Sequence, residues 1–102
     1  MIPMVRHYIK EGIQFEWDNE KAVKNLEKHD ISFETACEVF FDPFVKTLET
    51  QQVYGEIRDV IIGMTAQWQI VYVVHTVRDG EVFRLISARR ATRIERKHYE
   101  NY

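Results

Sequence analysis

Residues 57–89 hold three runs of strand-forming residues joined by links too short for anything but hairpins, and that restricts the folds open to the chain. Residues 57–64 and 68–77 are rich in β-branched and aromatic side chains, with only Thr65-Ala66-Gln67 between them. Arg78-Asp79-Gly80 then makes a tight turn into the run at 82–89. A parallel pair needs a crossover of about a dozen residues or more, so these runs predict an antiparallel meander. Residues 68–77 are almost continuously apolar, which predicts a strand covered on both faces.

The rest of the chain supplies the cover. Ile13, Phe15 and Trp17 alternate with Gln14, Glu16 and Asp18 as in a short strand, whereas residues 1–12 show no sustained period. Asp18 suits the N-cap of a helix over 18–29, with Ala22, Val23 and Leu26 as its apolar stripe and Lys21, Lys24, Asn25 and Lys28 facing outward. Ser32 is placed to cap a second helix over 32–41, which stops before Asp42-Pro43. A strand over 44–49 and a turn or bulge around Gly55 follow. After Ser87-Ala88 the period changes, and Ala91, Ile94, His98 and Tyr99 fall at helical spacing, predicting a helix over 91–99. Thr92 and Glu95 match a capping box, so Glu95 has a structural role before any chemical one. The expected fold is α+β in one domain of 102 residues with its core over about 13–99. It has a mostly antiparallel sheet packed against two N-terminal helices, with a C-terminal helix partly covering the other face.

Charge is distributed unevenly along this chain. Between residues 84 and 97 stand Arg84, Arg89, Arg90, Arg93, Arg96 and Lys97 against the single acid Glu95, a local net of +5. The whole chain carries −2, which leaves −7 elsewhere. An arginine-rich edge on an acidic body is suited to a phosphate-bearing ligand or an acidic partner, because binding senses the local field of a patch. No apolar run of about 20 residues is present, and Arg6, His7, Lys10 and Glu11 break up the N-terminus, so neither a membrane span nor a signal peptide is expected. A cytoplasmic location is the resulting expectation. The one cysteine, Cys37, excludes an internal disulfide. No set of side chains at metal-ligand spacing and no glycine-rich phosphate loop is visible, so no metal and no cofactor is expected.

Several stretches, taken in order, carry a family resemblance. They are Phe15-Glu16-Trp17-Asp18, Lys21-Ala22-x-x-Asn25-Leu26-x-Lys28-His29, Ser32-Phe33-Glu34-x-Ala36, Val39-Phe40-x-Asp42-Pro43 and, above all, Ile86-Ser87-Ala88-Arg89-Arg90-Ala91-Thr92-Arg93-x-Glu95-Arg96-x-x-Tyr99. Together, over about residues 13–99, they resemble the BrnT toxins of prokaryotic type II toxin-antitoxin systems. The resemblance implies a RelE-like fold, RNA as substrate, neutralisation by a BrnA-like antitoxin, and contact with promoter DNA only through the toxin-antitoxin complex. The chain departs from the pattern in carrying Gln51-Gln52-Val53-Tyr54 where many relatives have a histidine, and in about ten extra residues before Ile13.

Metal-independent cleavage of RNA requires deprotonation of a 2′-hydroxyl, charge stabilisation at phosphorus and protonation of the leaving oxygen. Arginine forks suit the second task. Arg89 is the first candidate, at the end of a strand and the entry of a helix, with Arg58 or Arg84 assisting; Arg89 and Arg90 also read as a solvated edge that protects the sheet from pairing. Strict alternation puts Phe83, Leu85, Ser87 and Arg89 on one face and Arg84, Ile86 and Ala88 on the other. Arg58 reads either as part of an active surface or as an ion-pair partner of Glu56. Glu56 in turn reads as a base or as the group that orients Arg58. His29 is the other candidate for proton transfer, against a plain helix C-terminal role. His75 reads as a half-buried, hydrogen-bonded strand histidine. Lys28, Arg78, Ser87, Arg90, Arg93, Arg96 and Lys97 are expected to line the RNA, Ser87 as a hydrogen-bond donor. The rival function is a non-catalytic partner or co-repressor module that keeps the toxin fold and needs no proton-transfer residue. Direct DNA binding by the isolated chain lacks a helix-turn-helix or zinc pattern.

Overall fold

The computed structural model describes residues 4–101; the expectations that include residues 1–3 and 102 lie outside it at those positions. In chain order the elements are β1 (Val5–Lys10), β2 (Ile13–Asp18), α1 (Asn19–His29), α2 (Phe33–Cys37), a 3₁₀ turn (Glu38–Phe41), β3 (Lys46–Val53), β4 (Glu56–Met64), β5 (Ile70–Arg78), β6 (Val82–Arg90) and α3 (Arg93–Glu100). The six strands form one sheet in the order β1-β2-β6-β5-β4-β3. Every neighbouring pair is antiparallel except β2 and β6, which run parallel.

The expected meander is present: β4 pairs with β5 and β5 with β6, both antiparallel. The turns at Glu11-Gly12, Tyr54-Gly55 and Asp79-Gly80 share one device, two successive residues at positive φ, which matches the right-handed twist of the flanking strands. The arrangement of two N-terminal helices is corrected in two ways. A hairpin strand, β1, precedes the helices, where residues 1–12 gave no period. The expected 32–41 helix is a five-residue α-helix followed by a 3₁₀ turn. The strand expected at 44–49 runs from Lys46 to Val53, because the Asp42 side chain accepts from the Phe44 amide and folds the preceding residues into a turn. The strand expected from Trp68 starts at Ile70, since Trp68 stands in the left-handed region at φ 65°.

One face of the sheet carries the main core. Phe15 and Trp17 of β2, Ile61 of β4, Val71 and Val73 of β5, and Leu85 and Ala88 of β6 pack against Ile31, Phe33, Ala36, Cys37 and Val39. Gly63 lets the 3₁₀ turn approach closely, because a Cβ there would stand 2.7 Å from Val39 Cγ1. The caps are as expected: Asp18 accepts from the Lys21 amide and Ser32 from the Thr35 amide. The face of α1 is not. Val23 and Leu26 are exposed, and Asn25 is buried against the sheet. Its Nδ2 donates to the carbonyls of Ile31 (3.0 Å) and Ala88 (2.8 Å), and its Oδ1 accepts from the Ala88 amide (3.0 Å). This side chain therefore satisfies backbone groups on two elements and ties α1 to β6. On the opposite face α3 packs on β4; Tyr99 is buried and donates to Asp42, while Lys46 donates to the carbonyls of His98 and Asn101.

Candidate functional site: the open face of the sheet

A bulge in β6 decides which side chains meet. The register steps from Val74–Ser87 to His75–Leu85 and leaves Ile86 unpaired. Leu85 and Ala88, three residues apart, therefore both reach the core, and alternation on either side of the bulge sends Arg84 and Arg89 to the opposite, open face. This corrects the expected assignment, which placed Arg84 with Ala88 and Phe83 and Leu85 with Arg89. An extra residue in a strand exchanges the faces beyond it.

Two rows of side chains cross the open face. In the lower row Glu16 on β2 lies opposite Arg84 on β6, and Arg84 lies opposite Thr76 on β5. One register step beyond the Asp59–His75 pair brings Arg58 of β4 to the same level, with Gln51 of β3 opposite it. His7 of β1 is paired with Glu16 at the other end. In the upper row Lys46, Ile62, Tyr72 and Arg89 follow one another across β3, β4, β5 and β6. Neighbouring strands are about 4.8 Å apart, so Arg58 and Arg84, flanking Thr76, have backbones roughly 10 Å apart and long enough side chains to share a ligand.

Carboxylates hold the arginines in place. Arg58 Nε stands 3.0 Å from Glu56 Oε1, and Arg78 reaches the other oxygen of the same carboxylate at 3.7 Å. Arg84 is 2.6 Å from Glu16, and both side chains are largely shielded from solvent. Arg89 makes a two-pronged contact with Glu95, 2.8 and 3.0 Å, and its guanidinium lies 3.8 Å over the Tyr72 ring. The bond to Glu95 holds the Arg89 pKa above its usual value, and the same bond keeps the Glu95 carboxyl below the usual carboxylate range. Glu95 also completes the expected capping box with Thr92, so one carboxylate starts α3 and orients Arg89. Burial, with Glu49 next to it, raises the Tyr72 hydroxyl pKa. Glu56, Thr76 and Arg78 border an open hollow of about 540 Å³.

The other expected site residues are placed elsewhere. Lys28 and His29, at the end of α1, border a shallow depression with Ile86 and Ser87 on the helix side of β6. Arg90 and Arg96 border a separate hollow with Trp68 and Gln69 at the end of the sheet. Arg93 and Lys97 are exposed on α3. His75 is buried between Phe40 and Phe83, and its Nδ1 has no hydrogen-bond partner among the described residues; burial lowers its pKa. Among the described residues no group of three or more His, Cys, Asp or Glu is arranged to hold a metal ion. Sequence reasoning missed Glu16, Thr76 and Tyr72 as neighbours of the arginines, and His7 as the neighbour of Glu16. Glu16 and His7 carried one readable signal, since each adjoins an aromatic that packs in the core and must itself face the other way.

A mostly antiparallel sheet with α1 and α2 packed on one face, and α3 beside carboxylate-paired arginines on the other, defines a small α+β protein with a charged sheet surface. The family model for the ribonuclease toxin BrnT of type II toxin-antitoxin systems matches residues 17–95, and the chain belongs to that family. A 1.1 Å crystal structure of the Brucella abortus ribonuclease toxin BrnT is similar in fold, with a TM-score of 0.62 and 27% sequence identity over 76% of this chain and 94% of that one. No curated protein matches the chain. The family match leaves β1 outside it, so His7 belongs to a strand beyond the matched region.

Proposed function

We infer that this chain is an endoribonuclease toxin that cleaves RNA on the open face of β4, β5 and β6 without a metal ion, within the RelE-like class. The observation that carries the reading is the lower row, in which Arg84 and Arg58 flank Thr76 and are each oriented by a carboxylate. Guanidinium groups on adjacent strands suit the two non-bridging oxygens of a phosphate and the charge that grows on them in the transition state. Arg89, fixed by Glu95 and stacked on Tyr72, extends the same surface toward α3. Glu56 is the proton-transfer group in this reading, because it lies beside Arg58 on the same face, whereas His29 lies on the helix side. A BrnA-like antitoxin covers the basic edge formed by β6 and α3 in a heterotetramer, and promoter DNA is met only by that complex.

One observation favours the non-catalytic alternative. All four arginines of the face already have carboxylate partners, so RNA must compete with Glu16, Glu56 and Glu95 for them. Purified chain free of antitoxin, incubated with structured and unstructured RNA with and without excess chelator, separates the readings. Cleavage is expected to persist in chelator and to fall in Glu56→Gln. Loss of cleavage in chelator overturns the metal-free mechanism, and intact RNA at high protein concentration favours the partner module.

A further inference from the structure

Trp68 is the most unusual residue outside the open face. It is 83% exposed, and its backbone is in the left-handed region at φ 65°, which disfavours a bulky side chain. The turn that presents it is tightly held. Thr65 is buried; its amide donates to the Gln69 carbonyl at 2.8 Å, its carbonyl accepts from the Trp68 amide at 3.0 Å, and its hydroxyl accepts from the amides of Gln67 and Gln69. The Ala66 amide is fixed to Glu38 at 2.9 Å. An exposed indole is thus presented away from the core by a hydrogen-bonded turn, on a backbone conformation that disfavours its bulk.

Its two sides differ in charge. On one side Trp68 borders a hollow of about 270 Å³ with Gln69, Ile70, Ala91 and the cations Arg90 and Arg96. Among the described residues neither arginine has a carboxylate partner within salt-bridge distance, unlike those of the open face. On the other side it borders a hollow with Glu11, Glu38 and Asp42 against Lys10, which disfavours phosphate. A flat aromatic surface beside two unpaired guanidinium groups fits one unpaired nucleotide, its base on the indole and its phosphate toward the arginines.

We propose that Trp68, with Arg90 and Arg96, forms a subsite for an unpaired nucleotide of single-stranded RNA, separate from the cleavage face. Arg90 is next to Arg89 in β6 but points to the other face, so RNA held on the open face reaches this hollow by passing round the end of the sheet. The inference rests on the RNA reading but does not require catalysis. The subsite gives the chain a preference for RNA with an unpaired base a few nucleotides from the cleaved bond.

The test uses the full chain and a short 2′-O-methyl RNA, which lacks the free 2′-hydroxyl needed for cleavage. Trp17 is 2% exposed and Trp68 83%, so oligonucleotide-induced quenching reports on Trp68. Binding is expected to quench the wild-type fluorescence; the affinity of every variant is read from the anisotropy of a dye-labelled copy of the oligonucleotide, and Trp68→Ala is expected to weaken binding by about 5- to 100-fold, the range for one stacked base. Trp68→Phe is expected to fall between, and Arg96→Ala to weaken binding and reduce its salt dependence. Trp68→Gly relieves the positive φ, so it is expected to raise Tm while lowering affinity; a purely structural residue would not separate the two. An oligonucleotide that binds without quenching, or that binds Trp68→Ala as well as wild type, overturns the subsite. Quenching by a chain that cuts no RNA retains the subsite and removes the nuclease reading. Cleavage without quenching does the reverse.

Discussion

Asn25→Ala is expected to be among the most destabilising single changes on α1, although the position is polar and lies on a helix surface rich in lysine. The side chain makes three hydrogen bonds, to Ile31 O, Ala88 O and Ala88 N, and Ile31 and Ala88 are both buried. Removing it leaves three backbone groups without their partner. A buried unsatisfied group costs about 1–3 kcal/mol, and water entering the vacated space recovers part of that, so the expected loss is about 3–5 kcal/mol. Small domains have a total stability of about 5–15 kcal/mol, so the variant loses a large fraction of it. Urea unfolding followed by circular dichroism reads the effect. With a slope of about 1–3 kcal/mol per molar, the midpoint should fall by roughly 2 M with the slope unchanged. Lys24→Ala, on the exposed neighbouring position, should change stability by less than about 0.5 kcal/mol. A loss below about 1 kcal/mol for Asn25→Ala would refute the idea that this residue pins α1 to the strand carrying Arg84 and Arg89.

Gly63→Ala should destabilise by about 1–3 kcal/mol in thermal unfolding, because the new Cβ meets Val39 Cγ1 at 2.7 Å and the Val39 carbonyl oxygen at 3.2 Å; an unchanged Tm would show that the 3₁₀ turn can move away. His75 has a lowered folded pKa caused first by burial, so below its unfolded pKa of about 6.5 the unfolded chain takes up a proton that the folded chain does not. Stability is therefore lost as pH falls from about 6.5 toward the folded pKa, and His75→Gln should flatten the Tm profile between pH 7 and pH 5.5. Thr92→Ala removes the hydroxyl half of the capping box and should cost about 1 kcal/mol; equal Tm values for variant and wild type would show that Glu95 and Arg89 alone hold the start of α3.

The strands of the meander were legible because their apolar runs are separated by turn residues and links too short for a crossover. Asp18, Ser32 and the Thr92–Glu95 box were legible because caps are local. The buried face of α1 was not, since Asn25 does by hydrogen bonding what an apolar residue would do by contact, and composition cannot show that the strand beside it needs a donor and an acceptor. β1 escaped for a related reason: it is an edge strand packed through Tyr8 and otherwise mostly exposed, so its alternation is weak. At the site the arginines were visible as a charge cluster, but the bulge at Ile86 exchanged the faces beyond it. The row Glu16–Arg84–Thr76–Arg58 is assembled from four strands spread over 69 residues of sequence numbering, and only the register brings it together.

The central claim is that the arginines of the open face act in the transition state and not merely in holding RNA. The direct measurement is the single-turnover cleavage rate of an RNA beside the affinity for its 2′-O-methyl counterpart, for wild type, Arg58→Ala, Arg89→Ala and Arg89→Lys, each confirmed folded by circular dichroism. The account predicts that each alanine variant loses about 100-fold or more in rate while affinity falls less than about 10-fold, and that lysine at Arg89 restores only part of the rate. Rates that fall only in proportion to affinity, or that do not fall at all, would contradict it.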